Sequence, residues 1–207
     1  MTENAHSCPT APADLIIRPA TFEDAPVLSG LIAELAAFEH LDHECVISVS
    51  AVREHLLGLN RSAEAVIAEL DGMVVGFAVY YRTFSTFAAR PGVFLEDLYI
   101  RPAFRHRGLG RALLQYVGSI AARNGAGRFE WTTLKWNENA RKLYASIGAE
   151  EKSEWLLLRM NSESLAKFSC GGDGHPSDGC RCGGKGVHHA KPETASPGHC
   201  GCGGAGH

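Results

Sequence analysis

Along the chain, the spacing of apolar side chains switches between a period of two, the mark of a strand, and a period near 3.6, the mark of a helix. Leu15 to Arg18 is a short β-prone run ended by Pro19. Thr21 and Asp24 then stand at capping-box spacing, and Leu28, Leu31, Ile32, Leu35 and Phe38 recur at helical intervals, which predicts an amphipathic helix over 22–39. A shorter helix is expected over 51–57, capped by Ser48 or Ser50. After Asn60 the period falls to two. Residues 64–70 and 73–81 read as strands around Asp71-Gly72, a strong hairpin signal, and 93–100 as a third strand stopped by Arg101-Pro102. A helix over 108–123, a strand over 128–134, a helix over 139–147 stopped at Gly148, and a last strand over 155–160 complete the pattern. The order β α α β β β α β α β predicts an α/β fold: a mixed, mostly antiparallel central sheet flanked by helices.

Composition divides the 207 residues unevenly. From Phe168 to His207 lie twelve of the 23 glycines, five of the seven cysteines and five of the ten histidines, with one aromatic residue and one valine. Such a segment buries too little apolar surface to offset the entropy of ordering it. The expected organisation is therefore a flexible N-terminus (1–13), one folded domain (14–162) and a low-complexity, disordered Gly/Cys/His-rich tail (163–207). Charge narrows the partners. Twenty basic against 23 acidic residues give a net charge of −3, so the broad basic field of a nucleic-acid binder is missing. The apolar runs are too short for a membrane span, and the first residues lack a basic segment followed by an apolar one, so a cytoplasmic protein without membrane or nucleic-acid partners is expected.

The chemically informative stretch joins the third of these central strands to the next helix: V-F-L-E-D-L-Y-I-R-P-A-F-R-H-R-G-L-G-R-A-L-L. Glycines at a helix start let a ligand approach the backbone, the first-turn N–H groups are unpaired, and the helix dipole adds positive character. That is an anion site suited to a pyrophosphate. A Walker loop would need a Lys-Ser or Lys-Thr after the second glycine, and a dinucleotide fingerprint would need a small residue where Leu113 stands. Both are excluded.

The remaining spacing, Arg105-x-x-Gly108-x-Gly110, resembles the acyl-CoA loop of the GNAT N-acetyltransferase superfamily. I-I-R-P-A-T, E-L-A-A-F-E-H, V-V-G-F-A-V-Y-Y, F-L-E-D-L-Y-I and W-N-E-N-A-R-K-L-Y-A-S-I-G-A resemble, more narrowly, its diamine (spermidine/spermine) acetyltransferase group, over about residues 15–160. The resemblance implies a GNAT-type sheet and acetyl-CoA as co-substrate, with no metal needed for catalysis. It implies that pantetheine lies along Leu98, Tyr99 and Ile100, that the pyrophosphate sits on Arg105, His106, Arg107, Gly108, Leu109, Gly110 and Arg111, and that Asn137 adds a further contact. Tyr144 corresponds to the tyrosine that protonates the departing thiolate. Glu96 corresponds to the carboxylate that deprotonates the amine, with Asp97 in support. Since adjacent strand residues face opposite ways, the two share a side only if a bulge intervenes.

Multiply cationic acceptors require negative charge. Glu39 and His40 fall where the family contacts its amine. Near the last-strand tryptophan the family's acidic residue is replaced by Ser153, with Glu154 beside it, which leaves short diamines and basic amino acids open as acceptors as well as polyamines. A homodimer is implied by the resemblance alone. The tail has no counterpart in the family: its Cys180, Cys182, Cys200 and Cys202, with neighbouring histidines, are soft ligands suited to Zn(II), Cu(I) or Ni(II), although C-x-C is not the usual structural zinc spacing. Two functions are open at this point. One is acetyl transfer to a small amine. The other is an acyl-CoA-binding protein of the same fold whose Cys/His tail binds or senses metal.

Overall fold

The computed structural model describes residues 12–169; the tail cysteines 180, 182, 200 and 202 lie outside them. Five strands, β1 (Leu15–Pro19), β2 (Glu64–Leu70), β3 (Met73–Ser85), β4 (Arg90–Ile100) and β5 (Arg128–Trp131), form one sheet in chain order. The first three pairings are antiparallel, and β4 and β5 run parallel. The helices are α1 (Ala25–Phe38), α2 (Val49–Val52, continued by a π-helical turn Arg53–Leu57), α3 (Leu109–Arg123), α4 (Glu138–Ser146) and α5 (Ser162–Ser169).

Strand alternation separates two cores. On β2, Ala65 and Ile67 turn to a layer with Leu28, Leu31 and Leu35 of α1 and with Phe77 and Tyr99. Val66, Ala68 and Leu70 turn to the opposite layer, where Leu109, Leu113, Leu114 and Val117 of α3 pack. Leu28, Leu31 and Leu113 are fully buried, and truncating any of them to alanine is expected to cost about 2–5 kcal/mol. Asp71 (φ 53°) and Gly72 (φ 74°) both adopt the left-handed conformation that a two-residue hairpin turn needs. Gly76 is fixed by a close approach: a Cβ there would stand 2.5 Å from the Tyr99 carbonyl oxygen on β4.

Several boundaries differ from expectation, each for a local reason. Residues 22–24 form a 3-10 turn before α1, because Pro26 can stand only in the first turn of the helix proper. The capping box is present: Asp24 accepts from the Thr21 N–H at 2.7 Å. Ser48 rather than Ser50 caps α2, accepting from the Ala51 N–H. Strands β3 and β4 run further towards their shared hairpin than expected, and β5 stops at Trp131.

The compact unit ends at Glu151, and a second unit begins at Lys152. Within the second unit, residues 155–160 are irregular and exposed, and α5 follows; the expected last strand does not form among the described residues. Leu156, Leu157 and Leu158 are consecutive, so the run presents no single apolar face, and no strand pairs with it among the described residues.

Candidate active site

Strand β4 departs from regular pairing at one point. Tyr80 of β3 faces Leu95, and the preceding Val79 faces Asp97, so Glu96 is the extra residue of a β-bulge. The bulge cancels the alternation that would set Glu96 and Asp97 on opposite sides. Both line one cavity of about 540 Å³, with Ile32 of α1, His55 and Leu56 beside α2, and Val79 and Tyr81 of β3.

The charges in this region are little compensated. Burial, the Glu96 charge and the Glu39 charge push the Asp97 carboxyl up to about 6. Burial raises Glu39 as well. Tyr144 is raised by burial and then by Glu39, and Tyr81 by burial and then by Glu96. Glu39, Glu96, Asp97, Tyr81 and Tyr144 thus form one electrostatically linked set, drawn from the end of α1, from β3, from the β4 bulge and from α4. Glu96 is exposed and Asp97 half-buried. Tyr144 is half-buried too, its ring edge-on to Trp131 at 5.1 Å between centroids.

Beyond the bulge, β4 separates from β5. Their pairing covers only Gly92 to Leu95 of β4, so among the described residues no strand pairs with that edge from Glu96 to Ile100. Leu98, Tyr99 and Ile100 therefore border a gap in which an extended amide-bearing chain can add to the sheet. Where β4 ends, a 3-10 turn (Pro102–Phe104) leads into the glycine loop. His106 (φ 62°) and Gly108 (φ 79°) are left-handed, and Gly108 is the N-cap of α3 without a side-chain cap. The first N–H groups of α3, from Leu109, Gly110 and Arg111, therefore stand at an uncapped helix start. Arg111 donates to Ser146 Oγ at 2.7 Å, but its buried Nε has no partner among the described residues. A pyrophosphate would supply the acceptors that this loop and Arg111 lack, so these residues fit the group the spacing implied. At Gly110 a Cβ would make only ordinary contacts, at 3.8 Å to Leu98 and Leu143; it is Gly108 whose backbone demands glycine.

The remaining expected residues are spread over the loop, the start of α4, the end of α1 and the second unit. Arg105 turns its side chain to the Ile100 carbonyl and to the rings of Phe38 and Tyr99. Asn137 caps α4, its Oδ1 accepting from the Ala140 N–H at 3.3 Å. Glu39 follows α1, and His40, left-handed at φ 62°, has its ring 6.0 Å from that of Trp136. Glu154 lies in the second unit, on an exposed irregular segment. Tyr81 and His55 line the cavity without having been expected there; Tyr81 read as the end of a strand and His55 as part of a short helix. Among the described residues no group of three or more His, Cys, Asp or Glu is placed to hold a metal ion, and no helix is long and apolar enough to cross a membrane.

Known proteins are similar to this chain in sequence and in fold. The Acetyltransferase (GNAT) family model matches residues 32–149. A thialysine N-epsilon-acetyltransferase of Mus musculus is 33% identical over 164 residues, covering 74% of this chain and 96% of that protein. An L-ornithine N5-acetyltransferase of Arabidopsis thaliana is 28% identical over 195 residues, covering 72% and 85%. Among solved structures, an integron cassette protein of V. cholerae superimposes with a TM-score of 0.65 at 23% identity, over 76% of this chain and 98% of that one, which shows the shared fold.

Proposed function

Because the chain belongs to the acetyltransferase (GNAT) family and is an N-acetyltransferase, we propose that it moves an acetyl group from acetyl-CoA to a primary amine of a small di- or polyamine or basic amino acid. The observation that carries this reading is the β4 bulge, which turns two carboxylates into one cavity where β4 leaves β5. An alkylammonium is not nucleophilic until it loses a proton. Glu96, exposed on the bulge, takes that proton directly or through water. Asp97 supports it: with its carboxyl pushed up to about 6, it remains ionised near pH 7 yet accepts a proton more readily than an ordinary aspartate.

Both substrates are bound together. Pantetheine lies along Leu98, Tyr99 and Ile100, and the pyrophosphate sits on the His106–Arg111 loop. The freed amine nitrogen attacks the thioester carbonyl carbon, an N–C bond forms, the C–S bond breaks, and the thiolate takes the phenolic proton of Tyr144. The acetylated nitrogen loses its second proton, which returns directly or through water to the Tyr144 phenolate, and the proton first taken by Glu96 passes to solvent. Burial and the Glu39 charge both hold that phenol protonated at neutral pH, as a general acid requires. The cavity walls Ile32, Leu56 and Val79 suit an alkyl chain, while the acidic set suits a cationic end. The same proposal includes a homodimer in the cytoplasm.

The test is acetyl-CoA consumption with putrescine, spermidine, thialysine, lysine, ornithine and a peptide with a free N-terminus. Turnover with at least one of the small amines, abolished by combined Glu96→Gln and Tyr144→Phe, is the expected result. Turnover with the peptide alone would exclude the small-amine reading. Sedimentation equilibrium checks the dimer.

A further inference from the structure

Three elements of the proposed reaction converge on one phenylalanine. Phe38 ends α1, directly before Glu39 and His40. Its ring meets that of Trp136 edge-on, 5.5 Å between centroids, and Trp136 precedes Asn137, the N-cap of the helix that carries Tyr144. Against Phe38 also lies the guanidinium of Arg105, its central carbon 4.2 Å from the Phe38 centroid and 5.4 Å from that of Tyr99. Arg105 opens the glycine loop, yet its Nε donates to the Ile100 carbonyl at 2.9 Å and its backbone N–H donates to the Pro102 carbonyl at 3.2 Å.

We propose that Arg105 is a positioning residue that couples the pyrophosphate loop to the acceptor turn at Glu39–His40 through Phe38 and Trp136, instead of holding phosphate with its own side chain. The guanidinium is planar and lies over aromatic rings while one of its N–H groups anchors the end of β4. A lysine ammonium keeps the charge but loses the stacked plane and the Nε donor. Beyond Phe38 the turn contains the left-handed His40, where the N–H groups of His40 and Leu41 donate back to the Ala37 and Ala36 carbonyls and close the helix, and the His40 ring lies 6.0 Å from that of Trp136. When a pyrophosphate orders the loop, Arg105 is ordered with it, and the Phe38–Trp136 pair carries the effect to the turn that receives the amine. Coupling of this kind is reciprocal, so bound amine strengthens CoA binding by the same factor. The inference takes its two ligands from the reading above.

Trp136 is one of three tryptophans, so combined Trp131→Phe and Trp155→Phe leaves it as the only indole reporter in the full-length chain. Titration with CoA should then change Trp136 fluorescence. Arg105→Lys should cut that change to about half or less while moving the calorimetric Kd for CoA less than about threefold, and Phe38→Leu should reproduce the effect. In steady-state kinetics without the tryptophan substitutions, Arg105→Lys should raise the amine KM at saturating acetyl-CoA about fivefold and, by the same reciprocity, the acetyl-CoA KM at saturating amine by about the same factor, while the Kd for CoA alone changes little. A CoA Kd weakened about tenfold or more would assign the side chain to phosphate and overturn the proposal. A Trp136 response kept at full amplitude in Arg105→Lys would overturn it equally. Amine turnover by the parent is measured separately: its absence sinks the acceptor reading, and the CoA titration still decides the role of Arg105.

Discussion

Asp24 and Asp97 are both drawn out of water, and their surroundings drive them in opposite directions. Asp24 accepts from both terminal nitrogens of Arg18, at 2.7 and 3.0 Å, and from the backbone and hydroxyl of Thr21. These bonds, Arg18 foremost, outweigh burial and lower its carboxyl to about 2. Asp97 is raised by burial first and then by the charges of Glu96 and Glu39. One carboxylate is satisfied and holds β1 to the start of α1; the other faces further anions and is the one proposed to assist proton transfer. Desolvation alone therefore does not identify a working carboxylate. What distinguishes the two is the presence of a cation at one and further anions at the other.

The strongest challenge to this contrast lies with Tyr144, the proposed proton donor on the anionic side. Tyr144→Phe is expected to lower kcat about 100-fold or more, with the Kd for acetyl-CoA within about threefold; an unchanged kcat would remove Tyr144 from the chemistry. Asp97→Asn should lower kcat/KM at pH 7 about tenfold or more and flatten the acid limb expected of the parent near pH 6. The same substitution should stabilise the fold at pH 7. A carboxyl raised from 3.8 to about 6 makes the folded state bind more protons than the unfolded one between those values. Stability therefore falls as pH rises through that window, by about 1–2 kcal/mol after allowance for solvent screening.

Asp24 has the opposite sign. Its carboxyl is lowered, so its stabilisation is present above about pH 4 and is lost as pH falls towards 2. Asp24→Asn should lower stability at pH 7 by about 1–2 kcal/mol and leave kcat near the parent value, read by thermal melts and initial rates. If both substitutions shifted Tm in the same direction at pH 7, the contrast would fail. The smallest expected effect is on the acidic branch of the melting curve: between pH 4 and 2 the parent should lose Tm more steeply than Asp24→Asn.

Much of the frame was legible because it rests on local rules. The Asp71-Gly72 turn, the Thr21–Asp24 box and the apolar stripe of α3 each follow from a few neighbouring residues. The loop was legible too, since Gly108 has a left-handed φ that favours glycine. The features that shape the site were not. A period-two pattern cannot mark an extra residue, so F-L-E-D-L-Y-I reads as a regular strand although Glu96 is bulged. Residue spacing around Arg105 suggests a phosphate ligand, but it does not encode where the side chain lies, over the Phe38 ring and against the Ile100 carbonyl. Cavity residues such as His55 and Tyr81 join the site only through tertiary packing, and the apolar content of 155–160 suggested a strand where none pairs among the described residues.

The bulge also bears on how such a protein can change over generations. Leu95 already faces Tyr80 and Asp97 already faces Val79, so excising the single codon for Glu96 would leave both pairings in place and close the ladder into an unbroken one. Leu95 would still turn to the α3 layer and Asp97 to the cavity, now in plain alternation. A three-nucleotide deletion is thus a single-step path to a chain with an unbroken ladder that lacks one of the two carboxylates proposed to face the acceptor, and an insertion at the same place is the path back.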